Sequence, residues 1–339
     1  MAPRGFNPNG SVTGIGSLPL ADPEAAVQFI VENSPTLPFW PQLPRRSRKE
    51  RLIGQGLTPL AEVLKERSAT NGYRAKPQKL AEVVDRLKHG PAELHASGAS
   101  GFFAFEKALA RGAFPDAAAL KGQIGGPITL ASNLFDRDRP FAQDRLLMDA
   151  VASYVCRLAQ WQVARLRRFG RPVILFVDEP RLGLLNRGTL SGTGPHLVKA
   201  LTDVLEAIRN AGAMAGVHCC ASFSCTLLRR TKPDIFSFDA YQGLENFCAD
   251  PGAKAFFEEA GCVAFGLVPT RSRLDDLRAE ELFGRWLQNA AKLGEAREVA
   301  SRSFITATCG LGLLPKDAGS ASFALCRSLA RLVQQVAGP

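Results

Sequence analysis

The 339-residue chain has no run of roughly 18 or more apolar residues, so no membrane-spanning helix is expected. Residues 1–10 are polar and rich in Pro, Gly and Asn, and lack the apolar core of a secretory signal. The eight cysteines are scattered at irregular spacing over a large chain, too sparse for a disulfide framework; free thiols and a reducing cytoplasm are the expectation. Internal repeats, low-complexity segments and convincing linkers are also missing. A flexible N-terminus (1–10) followed by a single domain (11–339) is therefore expected. The net charge is +10, yet no basic stripe interleaved with aromatics occurs, so a nucleic-acid partner is not expected. The basic excess reads either as a solvated surface or as attraction to an acidic partner.

What is present is ordinary globular composition, 46% hydrophobic and 22% charged, enough to bury a large core. Eight apolar runs read as strands buried on both faces: 11–17, 38–43, 120–128, 173–178, 214–220, 235–239, 262–268 and 304–309. Helical periodicity falls between them, over 23–32, 48–65, 78–87, 142–169, 196–210, 253–260, 279–292 and 320–336. Such alternation predicts an α/β protein, a single (β/α)8 TIM barrel, with an open doubly wound sheet as the alternative. The stretch 68–116 is too long for a plain connection and is expected to be a helical insertion between strands two and three, over one barrel mouth.

The chemistry-bearing residues gather at strand ends. Gly216-Val217-His218-Cys219-Cys220 ends the fifth strand, and positions two apart on a strand share a side, so His218 and Cys220 can grip one zinc ion. A buried, inert cysteine pair beside a satisfied histidine fits the same residues. Asp239 closes the sixth strand, as a metal ligand or as a helix N-cap. Cys309 closes the eighth, and Gly310 permits a tight turn there. The C-terminal strand ends of a barrel converge on one face, so His218, Cys220, Asp239 and Cys309 gathered there point to a metal site. Asp178 and Glu179 end the fourth strand before Pro180, placed to act in catalysis, to hold an ammonium group or to cap a helix N-terminus. The first strand ends Ile15-Gly16-Ser17-Leu18-Pro19, where glycine allows close backbone approach and Ser17 can donate to a carboxylate. This is not the glycine spacing of a dinucleotide site.

Taken in order, Ile15-Gly16-Ser17-Leu18-Pro19, Gly126-Pro127-Ile128-Thr129, Val177-Asp178-Glu179-Pro180, His218-Cys219-Cys220, residues 235–239 and Cys309-Gly310-Leu311 resemble the cobalamin-independent methionine synthase family. They also match its wider superfamily of zinc methyltransferases and uroporphyrinogen decarboxylase. The resemblance runs from about residue 13 to the C-terminus and covers only the family's catalytic barrel. It implies Zn²⁺ held by His218, Cys220, Cys309 and Asp239, the last standing where the family has glutamate. It implies Ile15, Gly16, Ser17 and Asp178 around a homocysteine-like thiol substrate, with Gln42 in place of the family's second acid. A catalytic histidine expected after strand seven is replaced by Gly266-Leu267-Val268-Pro269-Thr270. The implied activity is methyl transfer to a thiol, with a methylated corrinoid protein as the more natural donor for a core-only chain. Transfer to another thiol, a decarboxylase-like reaction, and a non-catalytic zinc- or ligand-binding barrel are the alternatives.

Overall fold

Residues 6–67, 72–185, 194–221, 223–270 and 274–338 are described in a computed structural model of the chain. In chain order the strands are β1 (Ser11–Val12), β2 (Leu64–Glu66), β3 (Tyr73–Ala75), β4 (Leu120–Gly125), β5 (Leu134–Asp136), β6 (Arg139–Pro140), β7 (Val173–Asp178), β8 (Met214–Cys219), β9 (Ile235–Phe238), β10 (Cys262–Val268) and β11 (Ser303–Ala307). Every residue of β7 to β11 is buried, as their mainly apolar runs suggest for strands covered on both faces. They belong to a curled, parallel, seven-stranded sheet in the order β1-β11-β10-β9-β8-β7-β4, with helices between successive strands.

The run 38–43, expected as the second strand, forms no continuous ladder. Pro38, Pro41 and Pro44 lack the amide donors a ladder needs. What remains is two parallel bridges, Ser17 to Gln42 and Phe39 to Lys121. Their hydrogen bonds run from Gln42 N to Gly16 O (3.0 Å), Leu18 N to Gln42 O (3.0 Å) and Lys121 N to Pro38 O (2.8 Å). This segment thus bonds to β4 on one side and to the chain just after β1 on the other.

Several local expectations are corrected. The helix expected over 48–65 is broken into a 3-10 turn (Arg48–Glu50), a helical turn (Leu52–Gln55), a second 3-10 turn (Thr58–Leu60) and β2. Gly54, Gly56 and Pro59 interrupt it, and a Cβ on Gly54 would lie 2.7 Å from Arg48 O. The run 120–128 stops as a strand at Gly125, and Pro127 then opens the helix Pro127–Asn133 at the position where its missing N–H costs nothing. Of the expected insertion, residues 68–71 lie outside the described residues. Its helices Leu80–His89 and Ser100–Ala110 stand against the long helix Arg145–Arg167. Arg157 donates to Leu87 O (2.7 Å), and Arg165 holds Glu106 through two bonds of 2.8 and 2.5 Å. The small sheet β2-β3-β5-β6 stands near the end of β7, where Glu66, Tyr73 and Arg181 line one pocket. Residues 1–5 of the expected flexible N-terminus lie outside the described residues. The rest is docked, with Asn9 N on Ser301 O (2.9 Å) and Gly10 N on Ser303 O (2.8 Å). Among the described residues no helix is long and apolar enough to cross a membrane.

The helix Ser100–Ala110 meets the proline-rich segment where Gly101 leaves no room: a Cβ there would lie 1.9 Å from Pro41 O. Gly101→Ala should therefore cost about 1–3 kcal/mol despite alanine's better helix propensity, read as a lower denaturant midpoint at unchanged slope.

Candidate metal and thiol site

Strand register assembles the centre. Asp178 at the end of β7 pairs with His218 of β8, and His218 pairs with Ser237 of β9. His218 is buried, and its Nδ1 lies 2.9 Å from Ser237 Oγ. Its Nε2 is buried without a hydrogen-bond partner. If Nδ1 carries the proton to Ser237, Nε2 presents a lone pair, the arrangement that readies imidazole for a metal. Cys220 follows β8 and Cys309 lies two residues beyond β11. The ligand atoms of His218, Cys220 and Cys309 all lie within 4.8 Å of one another. Cys219 between them is fully buried, with Sγ 3.4 Å from Ala221 O, and burial pushes its thiol up to about 12.

The two sulfurs are electrostatically unlike. A hydrogen bond from Cys220 holds the Cys309 thiol well below its ordinary range, at about 4, with His218 helping and burial opposing. The same contact and burial push Cys220 up. An imidazole nitrogen and two cysteine sulfurs within 4.8 Å of one another make a nitrogen–sulfur–sulfur donor set of the kind zinc takes. The residues present therefore fit the metal that the motifs imply.

Asp239 does not join this group. Its Oδ1 accepts from Gln242 N (3.0 Å) and caps the helix Ala240–Ala249, a helix that follows β9 directly. Its side chain is one methylene shorter than the glutamate expected there. It lies instead on a small cleft of about 70 Å³ behind the sulfurs, with Cys220, Cys309, Thr270 and Thr308.

A larger cavity of about 450 Å³ opens in front of the three ligands and carries most of the other expected residues: Ile15, Ser17, Gln42 and Asp178. Asp178 is buried and its Oδ1 has no hydrogen-bond partner. Burial lifts its carboxyl to about 6, while His218 and Lys121 pull it down. Ser17 Oγ accepts from Gly312 N (3.2 Å), and a Cβ on Gly310 would lie 2.1 Å from that oxygen. Gly310 thus serves the close approach of its loop to Ser17. Gly16 likewise makes room for protein, since a Cβ there would meet Gln42 Oε1 at 2.8 Å. Gln42 is buried with its Nε2 unpaired.

Glu179 is not on the cavity wall. Its carboxylate accepts from Ile128 N (2.8 Å), Thr129 N (2.8 Å) and Thr129 Oγ (2.6 Å), at the N-terminus of the helix Pro127–Asn133. The geometry gives it the capping role that was one of the alternatives, and burial outweighs these donors in lifting it to about 7.

Sequence reasoning missed three residues. Glu50 sits in the charged run Arg45-Arg46-Ser47-Arg48-Lys49-Glu50, which reads as a solvated face. It is nevertheless buried on the cavity wall, its Oε1 bonded to Ser100 Oγ (2.5 Å) and its Oε2 unpaired. Burial raises its carboxyl, against Ser100 and Arg46. Lys121 is fully buried within β4, donating to Ile15 O (2.9 Å) and Gln123 Oε1 (3.1 Å). Burial drives it down to about 7, with Asp178 opposing. Ser237 was passed over as a polar interruption of an apolar strand. A lysine and a serine inside strands covered on both faces were the available signals.

No protein-family model matches the chain, and no curated protein matches it.

Replacing Glu179 separates its two assignments. Glu179→Ala should cost about 1–3 kcal/mol by orphaning buried donors, while metal content stays at the wild-type level. Unchanged stability with lost activity would instead place the residue in the chemistry.

Proposed function

We propose that the chain is a zinc-dependent S-methyltransferase acting on a small amino-acid thiol, with homocysteine the best fit. The observation that carries the proposal is the convergence of His218, Cys220 and Cys309 within 4.8 Å beside a cavity that also holds Ser17, Gln42, Glu50 and Asp178. The scaffold is read as a (β/α)8 barrel in which the proline-rich segment 38–43 stands as the second strand. Its bridges to Ser17 and Lys121 support that reading.

His218, Cys220 and Cys309 would hold the metal, with the fourth place left for substrate because Asp239 is engaged as a helix cap. Zinc bound there supplies the positive charge that keeps a substrate thiol ionised near neutral pH. Asp178 and Glu50 offer unpaired carboxylate oxygens to a substrate ammonium, so Glu50 rather than Gln42 supplies the second acid. Ser17 and the Gln42 amide face a substrate carboxylate. Two-ended capture fixes the sulfur for in-line attack, the S–C bond forming as the donor's bond to the methyl group breaks.

The donor is read as a methylated corrinoid protein. His89, His95 and His196 line neither the cavity nor the small cleft, and Thr270 Oγ is paired with Thr308 Oγ (3.1 Å). Among the described residues no histidine other than the metal candidate His218 lines the site, which suits a cob(I)alamin leaving group, needing no proton, better than a folate amine, which does.

Cys220→Ser should lose zinc and methyl transfer from methylcobalamin to homocysteine together, measured by metal analysis and product formation. In the wild type, zinc X-ray absorption should gain one sulfur ligand on adding homocysteine. An unchanged zinc environment would reject homocysteine as substrate, and wild-type protein that binds no zinc would reject the whole reading.

A further inference from the structure

A second pocket of about 220 Å³ adjoins the thiol cavity, sharing Arg51, Leu52 and Pro180 as a common wall. Its lining includes three arginines, Arg48, Arg51 and Arg181, from two separate parts of the chain. Arg48 and Arg51 lie on the broken helical region after the proline-rich segment, and Arg181 follows β7. Among the described residues, one carboxylate, Glu66, lines the same pocket. It lies 3.6 Å from Arg48 and 3.3 Å from Tyr73 OH. Positive charge therefore exceeds negative charge on this wall. The pocket floor carries Thr129 and Asn133, both buried and both held in place, Thr129 by Glu179 and Asn133 through its Nδ2 bond to Thr129 O (2.7 Å).

An excess of arginine over carboxylate around one small concavity favours a bound anion. Guanidinium is the group best shaped to hold carboxylate or phosphate oxygens in pairs. The pocket is smaller than a typical whole-ligand site, so it suits one group of a ligand whose remainder lies elsewhere. The shared wall with the thiol cavity says where that remainder lies.

We infer that this arginine-lined annex binds an anionic group, a carboxylate or phosphate, on a ligand that extends into the thiol cavity. The anion site goes beyond the methyltransferase reading and does not need the metal; only the direction in which the ligand extends rests on that reading. It narrows the ligand to a molecule with a terminal anion set apart from its reacting end.

The test titrates the full-length protein with inorganic phosphate in one arm and malonate in the other, by calorimetry at low and at moderate salt. Saturable binding of one or both is expected, weakening with salt and falling about tenfold in Arg181→Gln and in Arg48→Gln, the loss of one charge-assisted pair. The arm that binds identifies phosphate or carboxylate as the recognised chemistry. A thermal unfolding midpoint equal to wild type shows that each variant is folded, and Cys220→Ser should bind the anion as wild type does. Failure of the metal reading would thus leave the annex intact. Absence of saturable binding in both arms, or binding that neither arginine variant weakens, would overturn the inference.

Discussion

Parallel register is the constraint on which the site depends. Because β7, β8 and β9 pair in step, Asp178, His218 and Ser237 fall side by side on three neighbouring strands. A shift of one residue in any of them would turn that side chain to the other face of its strand. The alternation that aims His218 inward also separates Cys219 from its neighbours, leaving it buried as packing while Cys220 joins His218. Cys309 arrives from the far side of the sheet, across β9 and β10, and only the curl of the sheet brings it within reach.

The second feature is the cost of what is buried there. Asp178 Oδ1, His218 Nε2, Gln42 Nε2 and Glu50 Oε2 are all buried without hydrogen-bond partners, and all four residues line the same cavity. Each such atom costs on the order of 1–3 kcal/mol, a large fraction of a typical domain's net stability. Folding alone gives no reason to gather them, since scattered polar atoms would be easier to satisfy. Their convergence makes sense if a ligand with matching donors and acceptors repays the desolvation on binding. The surrounding core, which spans Leu18 to Ala337, offsets the deficit in the meantime.

Much of this was legible because strand ends carry the chemistry and apolar runs mark the strands. His218, Cys220, Cys309, Asp178 and Ser17 were placed by that logic and Gln42 by the family resemblance, and the structure puts all six around one cavity. Asp239 was equally legible as an acid at a strand end, but its direction was not. Whether such a carboxylate turns inward or back onto the next helix depends on a helix beginning one residue later, and the helix Ala240–Ala249 was not read from the sequence. Glu50 was hidden because burial of a charge inside a charged run depends on a distant partner, Ser100, fifty positions along the chain. The seven-stranded sheet with its proline-interrupted companion shows the same limit, since patterning marks an apolar run but three prolines decide how much of it can pair.

Lys121 ties these threads together. An ammonium group buried under a cavity would ordinarily be excluded, and burial does weaken its hold on the proton. Asp178 opposes that effect, just as Lys121 opposes the effect of burial on Asp178. Each therefore makes the other's charge cheaper, and the pair keeps a carboxylate available in a place that would otherwise neutralise it. The same ammonium donates to Ile15 O, at the lip that carries Ser17, and to Gln123, whose Nε2 donates to Trp40 O in the proline-rich segment. Charge balance at the cavity and the contacts of β4 with the chain after β1 and with the proline-rich segment thus share one side chain. A neutral residue of similar shape would relieve the burial cost of the lysine, but it would remove one of the two groups that hold the Asp178 carboxyl down and leave the Ile15 carbonyl without its donor. The lysine is better explained by the carboxylate it supports than by any stability of its own.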